Sequence, residues 1–525
     1  MESGRVQPAD LPGPVEYPAG HRTKGGSVAC TARSRIAAGV LAFALLGALP
    51  VSARAHPAAV NGPHEVASSS PYAHGCDTNI EQQGFGERIT DAEAEPTLTV
   101  DPRDERRLVG AWMQDLYRGY VAAWSTNGGA KWHTSIVPGV SRCSGDPYEL
   151  AADPWLSTGR DGTTYLAGIS LDVNDAPRSS GPPFLPFRER LQVNRSTNGG
   201  RTWSAPAVIV GGEGRLHDKP SITADPGRAG HAYVVWTEYL TPLGPPPEGI
   251  SFSRTTDGGE TWSPPMHLNF PTPPGTNPQG ALVDVLPDGS LVTLTTVRAQ
   301  NGSSQPHRVY AMRSRDQGAT WTPPSLVTEF PATDGRHSTP FSDPETGENV
   351  DAPEWAISSA VTPAGTVYVT WRHRTSPDAA EIRVTKSSDG GRTWAAPITV
   401  ASSGSEMFLP VVAVASDGTV GVTYYDERRD LLGSDGYTAD FWFAHSHDGG
   451  ATWQERHVAG PFDLRTALLR KIPVRGLFLG DYHGLVPLRG GFGSAFAMAQ
   501  PAAHVGGSDV FFARLRTSPS GRGGE

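Results

Sequence analysis

The chain has 525 residues, 37% of them hydrophobic and 19% charged, with a formal net charge of -10 at pH 7. So acidic a balance argues against nucleic acid as a partner, because a polyphosphate backbone demands a basic face. Length alone would suggest two or three domains, but internal repetition overrides that prior.

Residues Ile36 to Val51 form a short apolar run, preceded by Arg22, Lys24, Arg33 and Arg35 and followed by the small-x-small triplet Ala53-Arg54-Ala55. This pattern is that of a secretory signal peptide. The run is shorter than the roughly 20 apolar residues that cross a bilayer, and no other segment approaches a membrane span. We therefore expect 1–55 to be leader, cleavage near Ala55 and a secreted product. Removing the leader takes away six Lys/Arg and three Asp/Glu, so the net charge falls from -10 to -13.

Three cysteines are present. Cys30 lies in the leader, which leaves Cys76 and Cys143 as a possible disulfide in an oxidising compartment. Two unrelated thiols are the alternative, since neither has the neighbours of a zinc ligand or a nucleophile. No cofactor is expected.

From Ser125 onward one motif recurs: Ser125 to Trp132 (STNGGAKW), Ser196 to Trp203 (STNGGRTW), Thr255 to Trp262 (TTDGGETW), Ser314 to Trp321 (SRDQGATW), Ser387 to Trp394 (SSDGGRTW) and Ser446 to Trp453 (SHDGGATW). Its acidic or amide positions, Asn127, Asn198, Asp257, Asp316, Asp389 and Asp448, are spaced by 71, 59, 59, 73 and 59 residues. Each copy sits between two strand-like runs and reads as a hairpin turn. The Asp or Asn bonds turn amides, the Gly supplies positive φ, and the Trp buries apolar surface between sheets.

Two further alternating runs precede each box, such as Ser221 to Ala224 and His231 to Trp236. Four antiparallel strands per repeat make a propeller blade, so an all-β propeller is expected over 91–516, followed by a disordered tail over 517–525. A seventh copy of the inner strands, Tyr482 to Pro487 and Ser494 to Ala499 with Val510 to Leu515, has no box after it. Seven blades are expected, with six as the alternative. The N-terminal segment 56–90, around Cys76 to Ile89, is expected to lend the missing outer strand, because an open ring leaves unpaired edges.

The boxes are the Asp boxes of the sialidase superfamily and of exported bacterial BNR-repeat proteins, which the chain resembles from Ser125 to Trp453. That resemblance implies an active site on the face opposite the boxes, built from loops joining strands two and three and from those leading into each innermost strand. Those loops hold Asp115, Asp153, Asp218, Asp351, Glu354, Asp426, Glu427 and Asp481, with Arg142, Arg298, Arg372, Arg374, Arg428 and Arg429. They also hold Tyr239, Tyr424, Tyr425 and Tyr482 and the histidines His217, His307, His373 and His483. The family's machinery implies Tyr482 as nucleophile activated by Glu354, Asp115 as acid/base, and Arg372, Arg374 and Arg428 as carboxylate anchors. The family's early Arg-Ile-Pro signature is missing, and Ala94-Glu95-Pro96-Thr97 stands in its place.

A second pattern lies at the starts of the innermost strands: Glu95-Pro96, Asp153-Pro154, Asp218-Lys219-Pro220, Asp351-Ala352-Pro353 and Gly480-Asp481-Tyr482. Either these carboxylates ring the central channel for a cation or polar ligand, or they cap the turns entering each strand, with Pro fixing φ. The dense run Tyr424 to Asp430 and the segment Trp371 to Arg374 are the candidate anion-binding wall. The loops Asp172 to Arg190 and Glu329 to Asp351 could rim the site.

Two functions follow. One is a secreted, sialidase-like glycoside hydrolase acting on sialic-acid-like or other acidic glycans. The other is a non-catalytic propeller that binds glycans or envelope proteins. In either case the partner is an extracellular glycan or glycoconjugate, and a monomer is expected.

Overall fold

A computed structural model describes residues 62–517, apart from 68, 73–75, 77–89, 116, 174–185, 214, 241–248, 301–302, 304, 333–340, 431–435, 468–475 and 502–505. The expected leader and most of the C-terminal tail lie outside the described residues. Among the described residues no helix is long and apolar enough to cross a membrane.

The described chain is all β, apart from two short 3-10 turns. Eight sheets stand where the repeats predict seven blades: seven have four antiparallel strands and one has three. The first sheet is Glu93–Val100, Leu108–Gln114, Gly119–Ser125 and His133–Ile136; the second is Leu150–Thr158, Thr164–Val173, Pro186–Ser196 and Ala207–Glu213. The third is Arg215–Ala224, Ala232–Leu240, Gly249–Thr255 and Met266–Leu268, and the fourth is Thr276–Val285, Leu291–Ala299, His307–Ser314 and Ser325–Phe330. The fifth runs Ile357–Val361, Val367–Ser376, Ala379–Ser387 and Ile398–Ser402; the sixth runs Met407–Val414, Val420–Asp426, Thr438–Ser446 and Gln454–Asp463. The seventh is Gly484–Leu488, Gly491–Ala499 and Ser508–Arg516, with His64–Glu65 as its outer strand. The first strands of these sheets neighbour one another in chain order, and the last neighbours the first, which is the arrangement of a propeller.

The boxes are the turns between third and fourth strands, and their chemistry is local. In the third sheet Thr255 Oγ1 donates to Asp257 Oδ1 at 2.8 Å and accepts the Gly259 amide at 3.0 Å, while the Thr261 amide donates to Asp257 Oδ1 at 3.0 Å. The Thr261 hydroxyl and backbone bonds hold the Asp257 carboxyl down at about 2. The fourth box carries Gln317 at φ +60° where the others have glycine, a tolerated exception. Each tryptophan reaches the preceding sheet: Trp321 lies 5.3 Å from Phe252, and Trp132 lies 5.3 Å from Phe512. In each box the Ser or Thr hydroxyl and the Asp or Asn side chain are engaged by their own turn, which leaves the opposite face for chemistry.

The strand that completes the seventh sheet falls within the expected segment 56–90 but upstream of its stretch Cys76 to Ile89. His64–Glu65 pairs antiparallel with Phe511 and Phe512, whereas Cys76 is followed by residues outside the description. Edge pairing needs only a free row of backbone groups next to the final strand, and Phe512 meets His64 edge to face at 5.7 Å. Closure is reinforced where Glu93 accepts the Val510 amide at 2.8 Å and its carbonyl accepts Ser508 Oγ at 2.8 Å. The segment is tied down again by a Cys76–Cys143 disulfide, with Cα atoms 5.0 Å apart.

The small eighth sheet is made by the long loops themselves: Phe341–Ser342 pairs with Asn349–Asp351, which pairs in parallel with Leu477–Phe478. Arg465 clamps it through Asp343 at 2.6 Å and Glu345 at 2.7 Å. Part of the loop Glu329 to Asp351 is therefore built structure, packed through Phe341 onto Phe408 of the sixth sheet at 5.3 Å.

The bridge closes a loop of 67 residues, so Cys143→Ser should lower unfolding stability by up to about 4 kcal/mol in the chain-entropy model. Thermal denaturation checks it: a reductant should lower the Tm of the wild type and leave that of the variant unchanged.

Candidate functional site

Five of the seven innermost strands carry the same defect near their start. Glu95, Asp153, Lys219, Gly280 and Leu409 adopt left-handed φ of 55°, 56°, 53°, 60° and 49°, and at each the pairing with the second strand slips in register. Four of the five precede proline: Pro96, Pro154, Pro220 and Pro410. Left-handed backbone costs a non-glycine residue roughly 1–2 kcal/mol, and such strain concentrates at functional sites.

The bulges converge on one ammonium. Lys219 Nζ lies 3.2 Å from Glu95 Oε1 and 3.1 Å from Asp153 Oδ1, and it also contacts Asp481. The lysine comes from the third sheet and its partners from the first, the second and the segment before the seventh. Asp153 is bound twice, since its Oδ2 accepts the Lys219 amide at 3.1 Å. Burial works against the ammonium, but Asp153, Asp481 and Glu95 together push its pKa well above the usual lysine value.

Glu95, Asp153 and Lys219 border a cavity of about 140 Å³ that Tyr117 and Asp218 also line. On its other side Lys219, with Asp481 and Tyr482, borders a smaller hollow of about 50 Å³. A third, of about 150 Å³, runs between the innermost strands past Thr97, Ser358, Leu409 and Leu485. The lysine cluster thus stands at the mouth of the central channel.

Asp218 has a different environment from its neighbours. Burial, opposed by Lys219, pushes its carboxyl up to about 6, and Gln279 Nε2 donates to its Oδ2 at 3.0 Å. Beside it His217 is buried, with its pKa pushed down to about 4 by desolvation, and its backbone amide donates to Glu189 Oε2 at 2.8 Å. Burial likewise drives Glu189 well above the carboxylate range.

The constellation that the family resemblance implies is not brought together. Tyr482 lies at the lysine cluster, 5.0 Å from Trp155, but its hydroxyl donates to the Pro154 carbonyl at 2.9 Å rather than to Glu354. Burial and the charges of Glu95 and Asp153 raise its pKa far above that of an ordinary phenol, the reverse of activation. Glu354 is buried against His307 Nε2 at 2.8 Å and Arg372 at 3.6 Å. Asp115 ties down the N-terminal segment through Ser70 Oγ at 2.5 Å and receives Gln114 Nε2 at 2.9 Å.

The proposed anion wall is neutralised from within. Arg372 is buried with Glu406 at 2.6 Å, and Arg428 pairs with Asp426 at 2.5 Å and with Glu455 while lying 4.1 Å over Trp442. Arg429 meets Asp440 at 3.2 Å, and Arg374 donates to the Ser376 carbonyl at 3.1 Å. Near carboxylates outcompete a distant ligand, and Arg428 faces the outer strands rather than the channel.

The strand-start carboxylates Glu95, Asp153 and Asp481 surround a cationic group at the channel mouth, and that group is the Lys219 ammonium. Lys219 is hidden in the sequence because the third member of the series aligns on Asp218 when carboxylates are matched. Matched on the proline, Glu95-Pro96, Asp153-Pro154, Lys219-Pro220 and Leu409-Pro410 fall in one column, and the lysine is then visible. Among the described residues no group of three or more His, Cys, Asp or Glu side chains is arranged to hold a metal ion.

No family model matches the chain, and no curated protein does. Among solved structures it is similar to a protein of unknown function from Dyadobacter fermentans, with 16% identity over 73% of this chain and 99% of that one at a TM-score of 0.44. It is similar to a Hadza microbial sialidase, with 14% identity, 82% and 68% coverage and a TM-score of 0.42. It is also similar to an α-L-arabinofuranosidase from Fusarium graminearum, with 14% identity, 70% and 93% coverage and a TM-score of 0.38.

Replacing Lys219 by Met strands three carboxylates, and breaking a buried pair of this kind costs about 3–5 kcal/mol. The lysine's raised pKa means that its stabilisation is present below the unfolded value near 10.5 and is lost as pH rises through the folded one. Lys219→Met should therefore be most destabilised at pH 8 and partly relieved at pH 4, where the carboxylates can take up protons. Urea denaturation at both values tests this, and an equal loss at both would contradict an electrostatic clasp.

Proposed function

We propose that the chain is a glycoside hydrolase-like propeller that acts outside the cytoplasm on acidic glycans, with Asp218 as the proton donor and Asp153 as its ionised counterpart. One observation carries this: two carboxyl groups line one cavity in different environments, Asp218 pushed up to about 6 by burial and Asp153 paired with the Lys219 ammonium at 3.1 Å. Glycosidic cleavage asks for such a division between a protonated acid and a carboxylate. The Cys76–Cys143 bridge supports an oxidising compartment.

Arg298 supports the acidic substrate. It is partly buried at the end of the second strand of the fourth sheet, with its guanidinium against the Tyr239 phenol. Among the described residues no salt bridge joins it to a carboxylate, unlike Arg372, Arg428 and Arg429, so its charge is available to an anion.

A second reading, glycan binding without cleavage, has its own support. Both oxygens of Asp153 are engaged by Lys219, one by the ammonium and one by the amide, which restrains it as a base or nucleophile.

A panel of neutral and carboxylated aryl glycosides separates the two. With Asp218 as acid, kcat/KM should fall about tenfold per pH unit above a break near 6, and Asp218→Asn should lose at least about a hundredfold. Unchanged turnover in that variant would remove Asp218 from the mechanism. Binding of the same sugars with no turnover would establish the second reading.

A further inference from the structure

The residue just before a box reaches across to the box of the next sheet, and the repeats allow one contact to be compared at successive junctions. Between the first and second sheets, Arg201, the sixth residue of its box, lies 4.4 Å over the Trp124 ring. Between the second and third, Arg195 meets Glu260, again the sixth residue, at 2.8 Å and donates to the Gly258 carbonyl at 3.3 Å. For Arg254 and Lys386 the corresponding sixth residues are alanines, Ala319 and Ala451. Those two cations are spent on box carbonyls instead, Arg254 on Gln317 at 2.6 Å and Lys386 on Gly449 at 2.8 Å.

Between the fourth and fifth sheets the contact is unmatched. Arg313 stands before the box and Arg392 is the sixth residue of the next one, so two guanidiniums occupy the places of a cation and its partner. Arg313 lies along the two glycines of the fifth box: a Cβ at Gly390 would sit 3.3 Å from its Nη2, and one at Gly391 3.8 Å from its Cδ. Its Nε is buried with no hydrogen-bond partner. Arg315, exposed at the second position of the fourth box, adds a third cation. Burial, then Arg392 and Arg315, lower the Arg313 pKa against the pull of Asp288 and Asp389. Both carboxylates are engaged by their own turns. Asp389 Oδ1 accepts Ser387 Oγ at 2.8 Å and the Arg392 and Thr393 amides at 3.0 Å, and its Oδ2 accepts Thr393 Oγ1 at 2.7 Å. Asp288 Oδ1 accepts the Ser290 amide at 2.9 Å and its hydroxyl at 2.5 Å. Among the described residues no salt bridge joins Arg313, Arg315 or Arg392 to a carboxylate, in contrast to Arg195.

We propose that Arg313, Arg315 and Arg392 form a binding site for a tetrahedral oxyanion, a sulfate or phosphate group, on the box face of the propeller. Guanidinium forks hold such groups through paired N–H donors, and an anion seated between like charges turns their repulsion into attraction on both sides. A carboxylate offers two oxygens in one plane, whereas a tetrahedral group presents oxygens to forks that approach from two sheets. The site lies at the end of the strands away from the channel mouth, and it stands whether or not the mouth cleaves glycans. A free ion and an ester on a sugar share this chemistry.

Calorimetric titration with inorganic sulfate, inorganic phosphate, glucose 6-sulfate and glucose 6-phosphate, at an ionic strength fixed with sodium chloride, tests the site. The wild type should bind sulfate and phosphate saturably at one site. Arg313→Gln and Arg392→Ala should each weaken binding at least about tenfold, and Arg201→Ala, at the junction where the guanidinium is already matched, should leave it unchanged. Arg392→Glu rebuilds here the pairing of Arg195 with Glu260, so it should abolish binding and raise the Tm in buffer free of these anions. The same thermal scans confirm that every variant is folded. Tighter binding of the sugar esters than of the free ions assigns the ligand to a glycan substituent, and equal binding assigns it to the ion; both support the site. No saturable binding of any probe, binding that survives Arg313→Gln and Arg392→Glu, an equal loss in Arg201→Ala, or a lowered Tm in Arg392→Glu overturns it.

Discussion

A single buried ammonium organises the functional end of this propeller. Lys219 gathers carboxylates from the first and second sheets and from the segment before the seventh, and it borders two of the cavities at the mouth. The arrangement exacts a geometric condition: side chains that would run along the strand must swing into the channel, and the left-handed bulge achieves that. The recurrence of the bulge in five sheets shows that the innermost strands are built to present one residue each to the mouth. What that residue is, whether acid, base, glycine or leucine, then decides the character of the site locally.

This division of labour explains why the Asp boxes say so much about architecture and so little about chemistry. The Ser or Thr hydroxyl, the Asp or Asn side chain and the Gly amide of each box bond one another within a single turn. At the mouth the reverse holds. Glu95, Asp153 and Asp481 meet a lysine from a third sheet, and burial raises the Asp218 carboxyl against the pull of the same ammonium.

The sheets were legible because their determinants are local and repeated. Alternating apolar residues, box glycines and box tryptophans specify a hairpin within a few positions, and Trp321 against Phe252 shows how that local motif also joins neighbours. The site was only partly legible, since its determinants are contacts between residues far apart in sequence. Nothing near Arg372 announces Glu406, and nothing near Tyr482 announces the Pro154 carbonyl that accepts its hydroxyl's hydrogen bond. The strand-start carboxylates pointed to the right region, but charge matching hid the lysine that the proline spacing would have exposed. The outer strand of the seventh sheet was sought near the disulfide, whereas the pairing falls at His64–Glu65, where only two residues are needed.

That two-residue strand governs the order of events in time. The seventh sheet takes His64–Glu65 from one end of the described chain and Ser508–Arg516 from the other. A nascent polypeptide emerging from its amino end therefore holds an early segment that can find no mate until almost everything else has been made. Six sheets can zip in succession from near neighbours, but the seam waits for the final strand. Closure of the seam is thus a concluding step rather than a seed, and the latch that completes it is made long before its mate.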